Sequence, residues 1–543
     1  MNGMIQTDSY KLSHKGFMEN GTTLIYSNMT PRSEKWLPIP EIEKEGVYVV
    51  YGLQHTLIDF FLTEMSVTFF NMPEDSAVGY LQGFYKDVYG MPYEKTEHFR
   101  ELHRLGYLPL EVKALPEGMV VPIKVPTYTI QNTIPQFAWL TNFVETIMSC
   151  ETWKAQTVAT LIWYYRKLVN KCAVHTTGST DGTEFQLHDF SFRGMSNRQD
   201  SAKSSSAFLL SSNGSDTVPA NQFIANYYKS HWSNEFISTS VPASEHSLAS
   251  TGIAVRGELE MLRKWITEDY PTGIVSVISD TFDFWKVLTE YVVELKQDIL
   301  NRIPNELGIA KTVFRPDSGD PVKIVTGYTT SDKEFTEADL ALYHYNNNVL
   351  KMPEAVKIDG QWFELNNFRG KAVLGKELAE HEVKGAIEVL WDIFGGTETE
   401  QGYRVLHERV GLIYGDSMNY ERIQQICERL ADKGFASTNV VFGVGSFTMQ
   451  YMTRDTLGMA VKATYAEVNG QSHELFKDPA TDDGTKKSAK GLLRVDYDEN
   501  GNIALFDQQT REQEQQGLLK TVFKDGELFN TQSFQEIRER LWG

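Results

Sequence analysis

Residues 188–194 read HDFSFRG and end an apolar run, FQLHDF. Phe190 and Phe192 alternate around Ser191, and Arg193 follows at once. A ring and a guanidinium so close at a strand end suit a flat aromatic ligand lying beside an anion. A core Phe next to a surface Arg ion pair would leave the same string. RPDSGDP (315–321) poses the same choice. Arg315 and Asp317 alternate, so both side chains face one way from an extended segment. They form an ion pair or, beside a ribose, Asp317 accepts its hydroxyls. GDS (415–417) repeats the idea: Gly415 lets the backbone approach and Asp416 accepts. FGVGS (442–446) is a glycine-bearing strand-to-helix turn whose N–H groups suit a phosphate or simply close a tight turn. SVPASEHS (240–247) sets His246 just past a strand end, behind Glu245, in a structural or a phosphate-contacting role.

These residues need elements that bring them together. From about residue 151 short apolar runs alternate with longer helical stretches, the pattern of parallel strands and crossover helices. The expected strands are FQLHDF, FISTSV, GIVSVISD, KTVFRPD, RVGLIYGD and NVVFGVG; helices follow at DFWKVLTEYVVELKQDILNRI and NYERIQQICERLADKG. Each run stops at a polar residue or glycine: Asp189, Ser240, Asp280, Asp317, Asp416 and Gly443. In an α/β barrel those ends share one face, where sites are built. Carboxylates meeting there need a cation, a metal or hydrogen bonds. Residues 1–150 (VYVVYGLQ, LEVKAL, MVVPIKVPTYTI) and the tail after 457 (VKATYAEV, then a hairpin turning at ENGN) read as β-rich, while residues 331–400 read as a polar, irregular insertion.

The 543 residues carry a net charge of −20, from 72 acids against 52 bases. Such a chain is expected to repel nucleic acid and anionic membrane. A phosphate site must then be a local basic pocket. Arg454, Lys462, Lys477, the lysines at 486–487 and Lys490 could be its wall, or solvated surface charges. Three distant cysteines, Cys150, Cys172 and Cys427, suit a reducing compartment rather than a disulfide framework. MNGMIQTDSYKLSH lacks the basic and apolar regions of a signal peptide, so a cytoplasmic protein is expected. The uncharged stretch 125–144 holds Pro126, Pro135, Gln131 and Asn132 and reads as a buried turn and helix. There is no triad with a nucleophile elbow, HExxH, kinase signature or GxGxxG after a first strand. The acidic pair at 482–483 sits in a loop, PATDDGT, rather than after an apolar strand.

Taken in order, TDSYKLSH (7–14), YGLQ (51–54), WLTNFVET (139–146), LHDFSFRG (187–194), SDTV (215–218), SVPASEHS, SDTFD (279–283), RPDSGDP, GD (415–416), FGVGS, TRD (453–455), FKDP (476–479), TVFKDG (521–526) and SFQEIR (533–538) closely resemble the type II phosphoribosyltransferase family, in its nicotinamide-using branch. The likeness spans nearly the whole chain except about 331–400. It implies an irregular α/β barrel at 151–446 joined to a β-rich α+β domain formed by 1–150 and 447–543. It also implies a head-to-tail homodimer with shared sites. The reaction implied joins nicotinamide to 5-phosphoribosyl 1-diphosphate, giving nicotinamide mononucleotide and pyrophosphate for NAD salvage. Mg²⁺ assists, and ATP is an optional coupled substrate through phosphorylation of a histidine matching His246.

The same resemblance implies residue roles. Phe190 and Tyr10 of a second copy would stack on the two faces of the base. Asp216 would accept the amide N–H and repel the carboxylate of nicotinate, with Arg315 and Ser276 completing the contacts. His246, Asp280 and Asp317 are the catalytic set, His246 oriented by Asp280. Ribose and phosphates fall to Asp8, Arg32, Arg193, Ser240, Gly415, Asp416, Gly445, Ser446, Arg454, Lys462, Lys477 and Lys486, with Mg²⁺ carried mainly by the pyrophosphate and no protein ligand assigned. Ser446 and Phe447 depart from the family's run of glycines. The alternative is a nicotinate phosphoribosyltransferase, against which Asp216 argues; quinolinate would bring two carboxylates. A silent homologue would have lost residues such as His246, Asp280 and Arg315.

Overall fold

Strands rich in Val, Ile and Phe, joined by helices too long for hairpin turns, dictate a parallel sheet. In the computed structural model, which describes residues 2–90, 96–331, 333–336, 339, 352–368, 371–415, 417–477 and 488–543, that sheet has six strands. Their order is Gly214–Ser215, Leu187–Asp189, Val440–Val444, Val410–Tyr414, Ala310–Arg315, Gly273–Ile278. Every pairing is parallel. Single bridges Gly214↔Thr239 and Ala243↔Ser276 tie segment 239–243 to both edges, so the sheet curls into an irregular α/β barrel. The expected strand FISTSV is therefore an extended connector. Its hydrogen bonds are few, and Pro242 offers a carbonyl to Ser276 N–H but has no N–H of its own.

Strand Ala310–Arg315 alternates buried Ala310, Thr312 and Phe314 with partly exposed Lys311, Val313 and Arg315. A period of two thus aims Arg315 at the lumen while the other face joins the core. Behind the sheet, helix Tyr420–Asp432 starts where the Asn419 side chain accepts the Arg422 N–H. It buries Ile423, Ile426, Cys427 and Leu430, an apolar stripe at helical spacing. Burying four such side chains stabilises by about 6–10 kcal/mol before entropy is counted. Helix Glu145–Thr177 runs 33 residues, through position 150, and stops at Gly178 with φ 75°.

Both chain ends meet in a seven-stranded sheet ordered Gln471–Glu474, Ala460–Val468, Thr22–Thr30, Tyr128–Asn132, Leu110–Ala114, Lys520–Lys524, Glu527–Leu528. All its pairings are antiparallel. Strand Thr22–Thr30 was not anticipated; its three threonines, Ser27 and Asn28 hide the alternation. The stretch 125–144 holds strand Tyr128–Asn132 as well as helix Ala138–Phe143. The hairpin around ENGN is present, pairing Leu492–Tyr497 with Ile503–Gln509. Residues 331–400 are more regular than expected. They include an antiparallel meander, Ala355–Ile358, Gln361–Phe368 and Lys371–Leu378. Helix Ala386–Phe394 follows and buries Ile387 and Leu390 in the main core. HYNNN lies outside the described residues.

Candidate functional site

The register of Leu187–Asp189 pairs His188 with Gly443 on one side and Gly214 on the other. Alternation puts His188 and Phe190 on the same face, their ring centroids 4.8 Å apart. The Phe190 ring rests on Gly443: a Cβ there would lie 2.5 Å from its Cδ2 and 2.8 Å from Tyr414 O. Its N–H donates to Val444 O (2.9 Å). At one end of this slot stands Asp216. Its Oδ1 accepts from His188 Nε2 (2.8 Å) and Ser240 Oγ (2.5 Å). A carboxylate only accepts, which assigns the hydrogen on that bond to Nε2. Burial pushes the Asp216 carboxyl up, but the bonds from His188 and Ser240 and the charge of Arg315 prevail, holding it below the usual carboxylate range.

Arg315 donates to the carbonyl of Ser244, while its buried Nε has no partner. Ser276 Oγ is likewise buried without one. Of the two, Arg315 lines the cleft and Ser276 does not, so the orphan on Arg315 is the one that suits a polar ligand there, because leaving it unmade costs free energy. Asp280 is almost wholly buried; its Oδ2 accepts from Asp317 N (2.8 Å) and Ser318 Oγ (2.7 Å). Its Oδ1 faces His246 Nε2 at 3.6 Å, and His246 Nδ1 lies 3.4 Å from Thr281 Oγ1. His246 is half exposed and opens helix His246–Arg256. Gly415 lets Asp317 come close: a Cβ at 415 would meet Asp317 Oδ1 at 2.5 Å.

One cavity, of about 1210 Å³, is lined by Phe190, Arg193, Asp216, His246, Arg315 and Asp317, and also by Gly415, Gly445 and Ser446. A second, of about 450 Å³, takes Asp8, Tyr10, Arg32, Arg454, Lys462 and Lys477, together with Lys11 and Glu145. Most of the expected site residues of one chain are thus gathered in two places, whereas Ser240, Ser276 and Asp280 line neither cavity. Strand pairing builds the second: Asn28 sits opposite Lys462, and Arg32 just beyond that strand donates to Gly458 O (2.8 Å). Burial lowers the Lys462 ammonium pKa; Arg32, Lys11 and Lys477 push it the same way, and Glu145 opposes them. Clustered cations of this kind are short of counter-charge, and an anion would supply it.

Ser240, expected with the phosphate group, instead donates to Asp216. Asp189, marked as a possible site carboxylate, is fully buried and satisfied by Ser191 N–H, Ser205 Oγ–H and Ser215 Oγ–H, so it braces the turn. Asp416, Lys486 and the acidic pair at 482–483 lie outside the described residues. His188 was missed, although the alternation that marks Phe190 marks it too. Lys11 and its ion pair with Glu145 (2.6 Å) were also missed; only the fold joins positions 134 residues apart. Among the described residues no cluster of three or more His, Cys, Asp or Glu could hold a metal ion, and no helix is long and apolar enough to cross a membrane.

A model of the nicotinate phosphoribosyltransferase (NAPRTase) family matches residues 185–527. A protein of Acinetobacter baylyi named nicotinamide phosphoribosyltransferase is 44% identical over 541 residues, covering 100% of this chain and 97% of its own. A Mycoplasma pneumoniae protein of the same name is 29% identical over 510 residues, covering 90% and 94%. The crystal structure of human nicotinic acid phosphoribosyltransferase superposes with TM-score 0.52 at 13% identity, over 99% of this chain and 92% of that one, a likeness of fold.

Proposed function

The chain belongs to the nicotinate phosphoribosyltransferase family, and from that premise we propose that it transfers the 5-phosphoribosyl group of phosphoribosyl diphosphate to nicotinamide, in NAD biosynthesis. The carrying observation is the slot formed by Phe190 and Gly443, ending at an ionised Asp216. A flat ring stacks on Phe190, its amide N–H donates to Asp216, and Arg315, which lines the same cavity, serves the amide oxygen or the sugar. Nicotinate would set a second carboxylate against Asp216, which costs affinity.

The pyridine nitrogen attacks C1 of the ribose as the C1–O bond to pyrophosphate breaks, and the nitrogen ends as a pyridinium, so no proton need move. Positive charge that builds on the sugar is stabilised by Asp317. The diphosphate goes to the cations of the second cavity, supplied by another copy in a homodimer with shared sites. That arrangement accounts for base and phosphate residues lying apart within one chain. Mg²⁺ would arrive on the diphosphate and neutralise it. ATP coupling would pass its γ-phosphoryl group to His246 and release ADP. Asp280 Oδ1, left open while Oδ2 is held, aligns the imidazole.

The test is a product assay with Mg²⁺ and phosphoribosyl diphosphate, offering nicotinamide and nicotinate in parallel. Mononucleotide from the amide alone is expected; product from the acid alone overturns the base assignment. Asp216→Asn should weaken use of the amide and admit the acid. For ATP coupling, acid-labile, alkali-stable phosphate should form on the wild type and not on His246→Ala, which should keep some basal turnover and lose ATP stimulation. Undiminished stimulation in that variant rules the phosphohistidine out.

A further inference from the structure

Charge alone lets Asp216 disfavour nicotinate, and the discrimination sharpens if its two oxygens are not interchangeable. A freely turning carboxylate offers either oxygen to a ligand, and once protonated it could donate to an acid. Around Asp216 the wall is built to prevent this. Oδ1 takes two donors, His188 Nε2–H and Ser240 Oγ–H. Oδ2 makes no hydrogen bond to a described residue. The imidazole occupies space that Gly214 leaves for it on one neighbouring strand, while Gly443 on the other makes room for Phe190. A Cβ on Gly214 would lie 2.6 Å from His188 Nδ1, so any larger residue there would drive the ring off its place. The same ring packs against Phe190, linking the stacking surface to the anion.

We propose that His188 is a positioning residue for base selection: with Ser240 it saturates Oδ1 of Asp216, so that Oδ2 alone is presented to the substrate and accepts its amide N–H. The proposal rests on the nicotinamide reading above. Its chemistry follows from acceptor counting. A carboxylate with one oxygen filled and ionised offers lone pairs only, which an amide N–H matches and a second carboxylate does not. The donors of His188 and Ser240 also lower the proton affinity of Asp216. Without the imidazole the carboxyl turns, takes a proton more readily, and can donate to nicotinate. Discrimination is then lost through the base, while phosphoribosyl diphosphate, whose diphosphate is held by the cations of the other cavity, is little affected.

The experiment compares wild type, His188→Ala, His188→Gln and Gly214→Ala, with thermal melting to follow folding. The readout is the ratio of kcat/KM for nicotinamide to that for nicotinate, and KM for each substrate. In His188→Ala the ratio should fall about tenfold or more through KM for the bases, with KM for phosphoribosyl diphosphate within about twofold. His188→Gln, which keeps an N–H donor, should retain the ratio within about threefold. Gly214→Ala, which never touches substrate, should behave like His188→Ala; it and His188→Gln decide the matter if His188→Ala does not fold. An amide-selective wild type whose ratio is unmoved in His188→Ala, or kcat losses equal for both bases in Ala and Gln variants, overturns the role of His188 alone. A wild type that uses nicotinate and not nicotinamide overturns the functional reading together with it.

Discussion

At the residue scale the base slot depends on what is missing as much as on what is present. Phe190 lies flat because position 443 has no side chain. In Gly443→Ala the new Cβ would sit 2.5 Å from the ring and 2.8 Å from a backbone oxygen, closer than real contacts allow. The ring must move. KM for the base should rise about tenfold, the worth of one good aromatic contact, with KM for phosphoribosyl diphosphate unchanged. Steady-state kinetics on both substrates checks this. An equal rise for both would locate the effect in the barrel rather than the slot. The depressed pKa of Asp216 adds a pH expectation: rejection of nicotinate should persist through neutral pH and fade only in acid, as the carboxylate takes its proton.

At the element scale, short helix Leu53–Thr56 carries His55, buried between Phe223 and Tyr227. Its Nδ1 has no partner, and nearby Asp59 (3.9 Å) is engaged by Tyr227 OH (2.6 Å). Burial first, then the charge of Lys203, lowers the His55 pKa from 6.5 to about 3. The unfolded chain therefore binds a proton that the folded chain refuses between those values, and stability falls as pH drops through that window. Going from about pH 7 to about pH 5, this group should remove about 2 kcal/mol from the unfolding free energy. His55→Phe should flatten that slope in denaturant titrations; an unchanged slope would assign the acid sensitivity elsewhere. The meander in 355–378 was legible in principle. Asp359 and Gly360 both take positive φ (49° and 82°), the conformation an Asp-Gly hairpin turn requires. A reading by overall polarity passed over that dipeptide.

At the scale of the whole molecule, Phe190 and Lys462 line different cavities. If two copies complete each site, Phe190→Ala and Lys462→Ala homodimers are both inactive. Mixed one to one, they should regain roughly a quarter of wild-type activity, because half the dimers are hybrids and each hybrid has one intact site. Unfolding and refolding the mixture, then assaying turnover, checks this; no regain would place the two groups in one chain's site. The net charge of −20 makes the cluster of Arg32, Lys462 and Lys477 a local exception; burial lowers the Lys462 pKa first, and their mutual repulsion adds to it.

Local pattern alone determined the parallel core. Apolar runs at 187–189, 273–278, 310–315, 410–414 and 440–444 are strands whichever neighbours they find, because their β-branched and aromatic residues can be buried on a pleated surface. The two-residue period likewise set Phe190 and Arg315 at strand ends facing one way. What only the tertiary structure decided is which carboxylate serves the site. Asp189 and Asp216 look alike as strings, yet Asp189 turns inward to three donors while Asp216 keeps Oδ2 open. That distinction depends on hydroxyls and an imidazole up to 28 positions away in the chain, which reach the carboxylates only after the sheet has curled. Hydrogen bonding is short-ranged, so sequence spacing cannot report it across such distances.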